Sequence, residues 1–211
     1  MDQHERRAPD DLTHSLWNAS RLVHSSNVLF LPGEIMQHLD AASITHGVYG
    51  WWFDRDLDMV PRDGCREKVG KHLLYVGIAQ PAQRRGKMRV AARNRLWRNH
   101  LRGSVRVSTL RLSLAALLED RLGLAFFRDT RGRVRMVKSD EDKLSTWLDQ
   151  HAAISIAQHD DPRALERMLI AAGPSLPLNL DGSSHPFRQT LSQLRRSLGR
   201  AELGSKVNPE T

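Results

Sequence analysis

At 211 residues and a hydrophobic fraction of 40%, the chain is long enough for one decorated domain with a buried core, and no apolar run approaches the roughly 18 residues that a bilayer span needs. A single cysteine, Cys65, excludes an intramolecular disulfide and a cysteine-based zinc site, and fits a reducing cytoplasm. The formal net charge of +8 points to a polyanionic partner.

The first residues, Met1 to Arg7, are polar and no apolar stretch follows them, so no secretory leader is expected. Residues 10–24 read as a helix, capped by Asp10 or Asp11, with Leu12, Leu16, Trp17, Ala19 and Leu22 at helical spacing. Leu31-Pro32-Gly33 is a break, and Glu34 to Leu39 forms a short helical turn. Two runs, Thr45 to Phe53 and His72 to Ala79, are rich in β-branched and aromatic residues and bounded by turn formers; both read as strands. The charged segment between them, Asp54 to Lys71, carries Pro61 and Asp63-Gly64, as the long loop of an antiparallel pair would. Its aspartates Asp54, Asp56 and Asp58 lack the glycine and terminal glutamate of a calcium loop and read as solvated.

From Arg84 to Arg106 every charged residue is Lys or Arg, while Val90, Leu96, Trp97 and Leu101 give a helical apolar stripe ending near Gly103. A cationic helix face of one sign suits a phosphate backbone. Ser108 can cap a second helical pattern from Leu110 to Leu118, which ends near Gly123. Leu124 to Phe127 and Arg133 to Val137 flank Thr130-Arg131-Gly132 as a hairpin or an irregular insertion. Glu141 to Gln150 reads as a helix and Ala153 to Ala157 as a third strand. Asp161-Pro162 opens a helix with the apolar face Leu165, Met168, Leu169 and Ala172, stopped by Gly173-Pro174. Leu176 to Leu180 is extended, and Pro186 to Gly199 is a last helix with an arginine-rich end. The order describes an α/β protein, with a small three-stranded, mostly antiparallel sheet flanked by helices and extra N- and C-terminal helices.

The only two tyrosines, Tyr49 and Tyr75, fall one in each of the first two strands. At Gly47-Val48-Tyr49 and Tyr75-Val76-Gly77 the chain resembles the GIY-YIG nuclease superfamily, with Val in place of Ile in both signatures. The resemblance runs over roughly residues 44–198. It takes in an arginine-bearing helix after the second signature (Arg95), a glutamate on a later helix (Glu166) and an asparagine beyond it (Asn179). The run Arg95 to Gly103, Ser108 to Leu114, Pro177 to Leu180 and His185-Pro186-Phe187 are similar to the bacterial branch of standalone GIY-YIG proteins. The departure is the link Asp54 to Lys71, longer than is usual in the superfamily, which must loop out without disturbing the strand register.

The resemblance implies a GIY-YIG-like nuclease domain over 44–200, an N-terminal helical extension over 1–43 and a disordered tail over 201–211. It implies a metal-dependent endonuclease acting on nucleic acid, with DNA as the expected substrate, in the cytoplasm and off the membrane. Tyr49, Tyr75, Arg95, His100 and Asn179 would be catalytic, and Glu166 would hold Mg²⁺ or Mn²⁺. Arg84, Arg85, Lys87, Arg93, Arg98, Arg102 and Arg111 would meet the nucleic acid. No separate recognition domain is legible, so targeting would come from a partner, a homodimer or the substrate's shape. The alternative is a non-cutting nucleic-acid-binding module on the same fold.

The chemistry gives these residue types work to do. Phosphodiester hydrolysis needs on the order of 20 kcal/mol of barrier reduction. A tyrosine can serve as general base if its phenol is acidified from about 10 to about 7, roughly 4 kcal/mol. Arginine neutralises phosphate through a rigid fork of donors. One carboxylate with waters and substrate oxygens is an ordinary Mg²⁺ site. On α-helical geometry, Arg95 and His100 are not expected on one face, because five residues turn about 140° past alignment. His185, before Pro186, reads as structural.

Overall fold

The structure, a computed structural model, describes residues 28–80 and 91–200, with the backbone of two short strands between them. The expected helix over 10–24 and the tail from Glu202 lie outside the described residues. The elements run α1 (Ile35–Ala41), β1 (Gly47–Phe53), β2 (Glu67–Lys68), β3 (Lys71–Ala79), β4 (Gln83–Arg84), β5 (Lys87–Met88) and α2 (Ala91–Arg93), which passes directly into a π-helix (Asn94–Leu101). Then follow α3 (Thr109–Leu117), α4 (Glu119–Leu122), β6 (Phe126–Arg128), β7 (Val134–Met136), α5 (Lys138–His151), β8 (Ala152–Ala157), α6 (Pro162–Ala172) and α7 (Phe187–Ser197).

The main sheet is antiparallel, in the order β2-β3-β1-β8. The three long strands are those read from the sequence. The fourth, β2, arises inside the long link, where the chain turns back along the start of β3. Thus the sheet has four strands rather than three, because part of the looped-out segment pairs with the edge it would otherwise leave open. The β6–β7 hairpin also forms, with the Asp129 carboxylate accepting from the backbone N–H groups of Arg131 and Arg133.

Alternation along the strands divides the core into two layers. Tyr49, Trp51 and Phe53 face the larger layer, packed with Leu96, Leu110, Leu144 and Trp147 from the helices on that side. Val48, Trp52, Leu73 and Val76 face the smaller layer, closed by Leu165 and Leu169 of α6. Residues 28–43 belong to this body: Ile35 and Leu39 enter the larger layer, and Phe30 exchanges backbone hydrogen bonds of 2.8 and 2.9 Å with Ile154 on the outer edge of β8. On the opposite side, Leu178 N–H donates to Leu74 C=O at 3.0 Å, covering the β3 edge beyond β2.

The long link is held by its own polar groups. Arg62 donates to the carbonyls of Asp54, Leu57 and Val60, while Leu57 and Val60 themselves are buried. Asp54 and Asp56 are not free solvated groups: Asp54 accepts from Lys71 and meets His151 Nδ1 at 3.0 Å, and Asp56 accepts from Trp147 Nε1 at 2.7 Å and pairs with Arg121. The register is therefore kept, with Tyr49 opposite Gly77 and Trp51 opposite Tyr75; one bulge follows, between Trp51 and Trp52.

The β2–β3 connection is the two-residue turn Val69-Gly70, with φ of 49° and 69°. Positive φ at both central positions is the type I′ geometry, which favours Asn-Gly and disfavours a β-branched first residue. Val69 is also 85% exposed, so its side chain returns little packing. Val69→Asn is expected to stabilise the protein by about 0.5–1 kcal/mol, read as a higher urea midpoint at unchanged m-value.

Candidate active site

Tyr49 and Tyr75 emerge on the same face of adjacent strands, each flanking the ring of His100, at centroid distances of 5.4 and 6.4 Å. Gly77 is what admits the Tyr49 ring: a Cβ there would stand 2.7 Å from the phenol oxygen and 2.8 Å from Cζ. At the other triplet, Gly47 has φ +147° and a Cβ would stand 2.0 Å from the Ala157 carbonyl oxygen, so only glycine lets β1 and β8 close there. Both glycines of the triplets thus have a steric cause.

The π-helix brings the next two residues in. Its i→i+5 ladder, seen at its end in Arg102 N–H donating to Trp97 C=O at 2.8 Å, returns the fifth residue to nearly the same face. Arg95 Nε donates to the Tyr49 phenol oxygen at 3.2 Å, and His100 Nε2 lies 2.7 Å from the same oxygen. The α-helical expectation that separated Arg95 from His100 is overturned by this change of helix type. Gly103 ends the segment, where a Cβ would lie 2.3 Å from the Asn99 carbonyl oxygen. His100 Nδ1 lies 2.7 Å from Ser108 Oγ, and Ser108 also caps α3 by accepting from Arg111 N–H at 3.1 Å, as expected of it.

Arg111, expected at the nucleic-acid surface, is instead fully buried. It pairs with Glu141 at 2.7 Å and donates to the carbonyls of His100, Leu101 and Glu141 and to Ser145 Oγ. A guanidinium with no exposed surface cannot reach a phosphate backbone. Its position in the first turn of α3, three residues before the buried Leu114, turned it inward, and the Glu141 carboxylate on a distant helix, with Ser145 and three carbonyls, makes that tolerable.

Glu166 on α6 and Asn179 complete the group. A cavity of about 330 Å³ is lined by Tyr75, Arg95, Glu166, Asn179, Asp181 and Arg195, among others. Glu166 is half-buried and makes no hydrogen bond or ion pair with any described residue. Burial raises its pKa, against the pull of Arg95 and Arg163 and with a contribution from Asp181. Asn179 spends both ends of its amide on Val76, accepting from its N–H and donating to its C=O, each at 2.9 Å. It therefore holds the strand that carries Tyr75 and acts by positioning. His185 is structural as expected, its Nδ1 accepting from Phe187 N–H at the start of α7.

Tyr49 itself is fully enclosed and Tyr75 is 8% exposed. Burial raises both phenols above the ordinary value of 10.0, and the Tyr75 neighbour raises Tyr49 further, despite Arg95. The expected acidified phenol is not a property of the resting site: two phenols withdrawn from water outweigh one guanidinium. His100 is pushed well below 6.5 by burial and by the charges of Arg95 and Arg111, so it is neutral.

The remaining cations divide. Arg98 is exposed and, with Arg95 and Arg163, lines an open depression of about 560 Å³ beside the first cavity. Arg93 is exposed but paired with Asp40 at 3.2 Å, and Arg102 pairs with Asp149 at 2.9 Å while lying over Trp97. The side chains of Arg84, Arg85 and Lys87 lie outside the described residues. Sequence reasoning missed Arg163, Asp181 and Arg195. Arg163 follows Pro162 by one residue and precedes Glu166 by less than a turn, which would have flagged it; nothing local flags the other two.

A family model described as the GIY-YIG catalytic domain matches residues 47–197. No curated protein and no solved structure shows significant similarity to the chain. Among the described residues no helix is long and apolar enough to cross a membrane.

Two outcomes test the geometry. Truncating Arg111 to Met leaves Glu141 buried without its counter-charge, held only by Val105 N–H, and is expected to cost about 3–5 kcal/mol in urea denaturation. His100 binds a proton near 6.5 in the unfolded chain but only well below that when folded. The unfolded state therefore binds more protons as pH falls below 6.5, and stability is lost there, by up to about 1.4 kcal/mol per pH unit. The urea midpoint should fall less steeply between pH 6.5 and 5 in His100→Gln than in the wild type.

Proposed function

The chain belongs to the GIY-YIG catalytic domain family, a family of nucleases, and from that membership we propose that it is a metal-dependent endonuclease hydrolysing DNA phosphodiester bonds. The observation that carries the proposal is the meeting of Tyr75, Arg95 and Glu166, from three separate elements, in one cavity of about 330 Å³.

The donor set fits a hard divalent cation. Glu166 offers carboxylate oxygens that no described residue hydrogen-bonds or pairs with, and Asp181 lines the same cavity. Mg²⁺ or Mn²⁺ keeps several waters and takes substrate oxygens, so one or two carboxylates can hold it. When bound, such an ion supplies positive charge beside the phosphate and the leaving 3′ oxygen.

The chain's own groups do the rest. Arg95 has Nε committed to Tyr49 and lines both the cavity and the adjoining depression, so its terminal nitrogens are available to a phosphate between them. Tyr75 presents its phenol at the cavity wall, where it is placed to hydrogen-bond and orient the attacking water. Tyr49 does not line that cavity; its phenol oxygen accepts from Arg95 Nε and lies 2.7 Å from His100 Nε2, so charge developing on Tyr49 meets a guanidinium donor already in place. Arg98 and Arg163, beside Gln80, Asn94 and Asn99, supply backbone contacts for the strand leading to the cavity.

Supercoiled and branched DNA is expected to be nicked in Mg²⁺, to be spared in EDTA, and to be cut at least about 100-fold more slowly by Glu166→Ala. Equal cutting by both proteins would reject Glu166. Salt-sensitive binding by both without cutting would support a non-cutting binding module instead.

A further inference from the structure

Two arginines, not one, enter the cavity. Arg195 lies one turn after Leu191 on α7, and the fully buried Leu191 fixes that face of the helix against the core, so Arg195 is carried inward while its neighbour Arg196 stays exposed. Arg195 lines the cavity with Tyr75, Arg95 and Glu166. It is partly withdrawn from water, and that burial lowers its pKa, offset by the nearby Asp181 and Tyr75. Yet it makes no hydrogen bond or ion pair with any described residue, Asp181 included.

The same chain shows what a structural arginine looks like. Arg111 is buried and spends its donors on Glu141, Ser145 and three carbonyls. Arg195 bears a desolvation cost and spends none. A planar fork of donors left open in a cleft is arranged for an anion that arrives from outside. The cavity's carboxylates do not use it, and Arg95 cannot surround a tetrahedral group alone, because its Nε is held by Tyr49.

We infer that Arg195 is a second phosphate-binding guanidinium of the cavity, which with Arg95 takes the non-bridging oxygens of a nucleic-acid phosphodiester. The inference rests on the nuclease reading for its catalytic consequence and on the cavity alone for its ligand. It makes α7, an element distant from both tyrosine triplets in sequence, part of the substrate site. Two guanidiniums lining one cavity would hold the phosphate in one orientation and neutralise charge that grows as the bond to the leaving oxygen breaks.

The test uses the full chain with Arg195→Ala, Arg195→Lys and, as a charge control at an exposed residue that lines neither the cavity nor the depression, Arg66→Ala. In EDTA, a fluorescein-labelled DNA duplex is titrated at several salt concentrations. Arg195→Ala should lower the slope of log K against log[salt] by about 0.9, one phosphate contact, and Arg66→Ala should not. In Mg²⁺, Arg195→Ala should cut kcat by about 100-fold, Arg195→Lys by less, and millimolar guanidinium chloride should restore part of the Arg195→Ala rate and leave wild type unchanged. Partial rescue separates a lost phosphate contact from a lost structural one. If Arg195→Ala melts early, Arg195→Gln, which keeps the stem, carries the same measurements. An unchanged salt slope together with kcat within about threefold of wild type would overturn the inference. Absence of cutting by the wild type would reject the nuclease reading, while a lowered slope in Arg195→Ala would still support the phosphate site.

Discussion

The buried guanidinium of Arg111 ties the end of the π-helix to the rest of the molecule. It takes the carbonyls of His100 and Leu101, which the helix end would otherwise leave unpaired, and joins them to Glu141 and Ser145 on α5. Its own backbone N–H caps onto Ser108, whose hydroxyl also meets His100 Nδ1. The placement of His100, and with it the bond to Tyr49, therefore depends on one buried ion pair. Such pairs add little net stability over a well-packed apolar pair, and are costly to break once present. Here the return is geometric: the π-helix is held at the winding that puts Arg95 and His100 on one phenol.

From that anchor the two glycines of the triplets acquire a common purpose. Gly77 leaves the volume that the Tyr49 ring fills, directly across the strand pair, and Gly47 lets β8 close on the start of β1. The tyrosines are thus seated by absences in the neighbouring strands. Asn179 secures the other side of the same strand by pairing with both backbone groups of Val76, which protects the β3 edge and keeps Tyr75 in register.

The electrostatics of the cavity are unbalanced by design of its walls. Glu166 and Arg195 both face it without a hydrogen bond or ion pair to any described residue, while the two phenols and His100 are kept neutral by burial. A carboxylate and a guanidinium, each partly desolvated and paired with no described residue, are the groups on which the proposed cation and phosphate would act. The neighbouring depression, with Arg98 and Arg163, extends the cationic surface outward from Arg95.

Much of this was legible in the residues alone. The periodicity of β1, β3 and β8, the caps at Ser108 and Asp161, and the helix stops at Gly123 and Gly173 are local signals, because strand alternation and capping are decided by neighbours in sequence. The residues Tyr49, Tyr75, Arg95, Glu166 and Asn179 were readable because their types and order carry a family resemblance. What tertiary structure decided was everything that depends on a distant partner. The link Asp54 to Lys71 became ordered and contributed β2 because Trp147, Arg121 and His151 receive its aspartates. Arg111 turned inward because Glu141, on another helix, awaited it. The winding of the π-helix set His100 against Tyr49, and the docking of Leu191 swung Arg195 into the cavity. Sequence determines the faces an element can offer; only packing determines which face is used and what meets it.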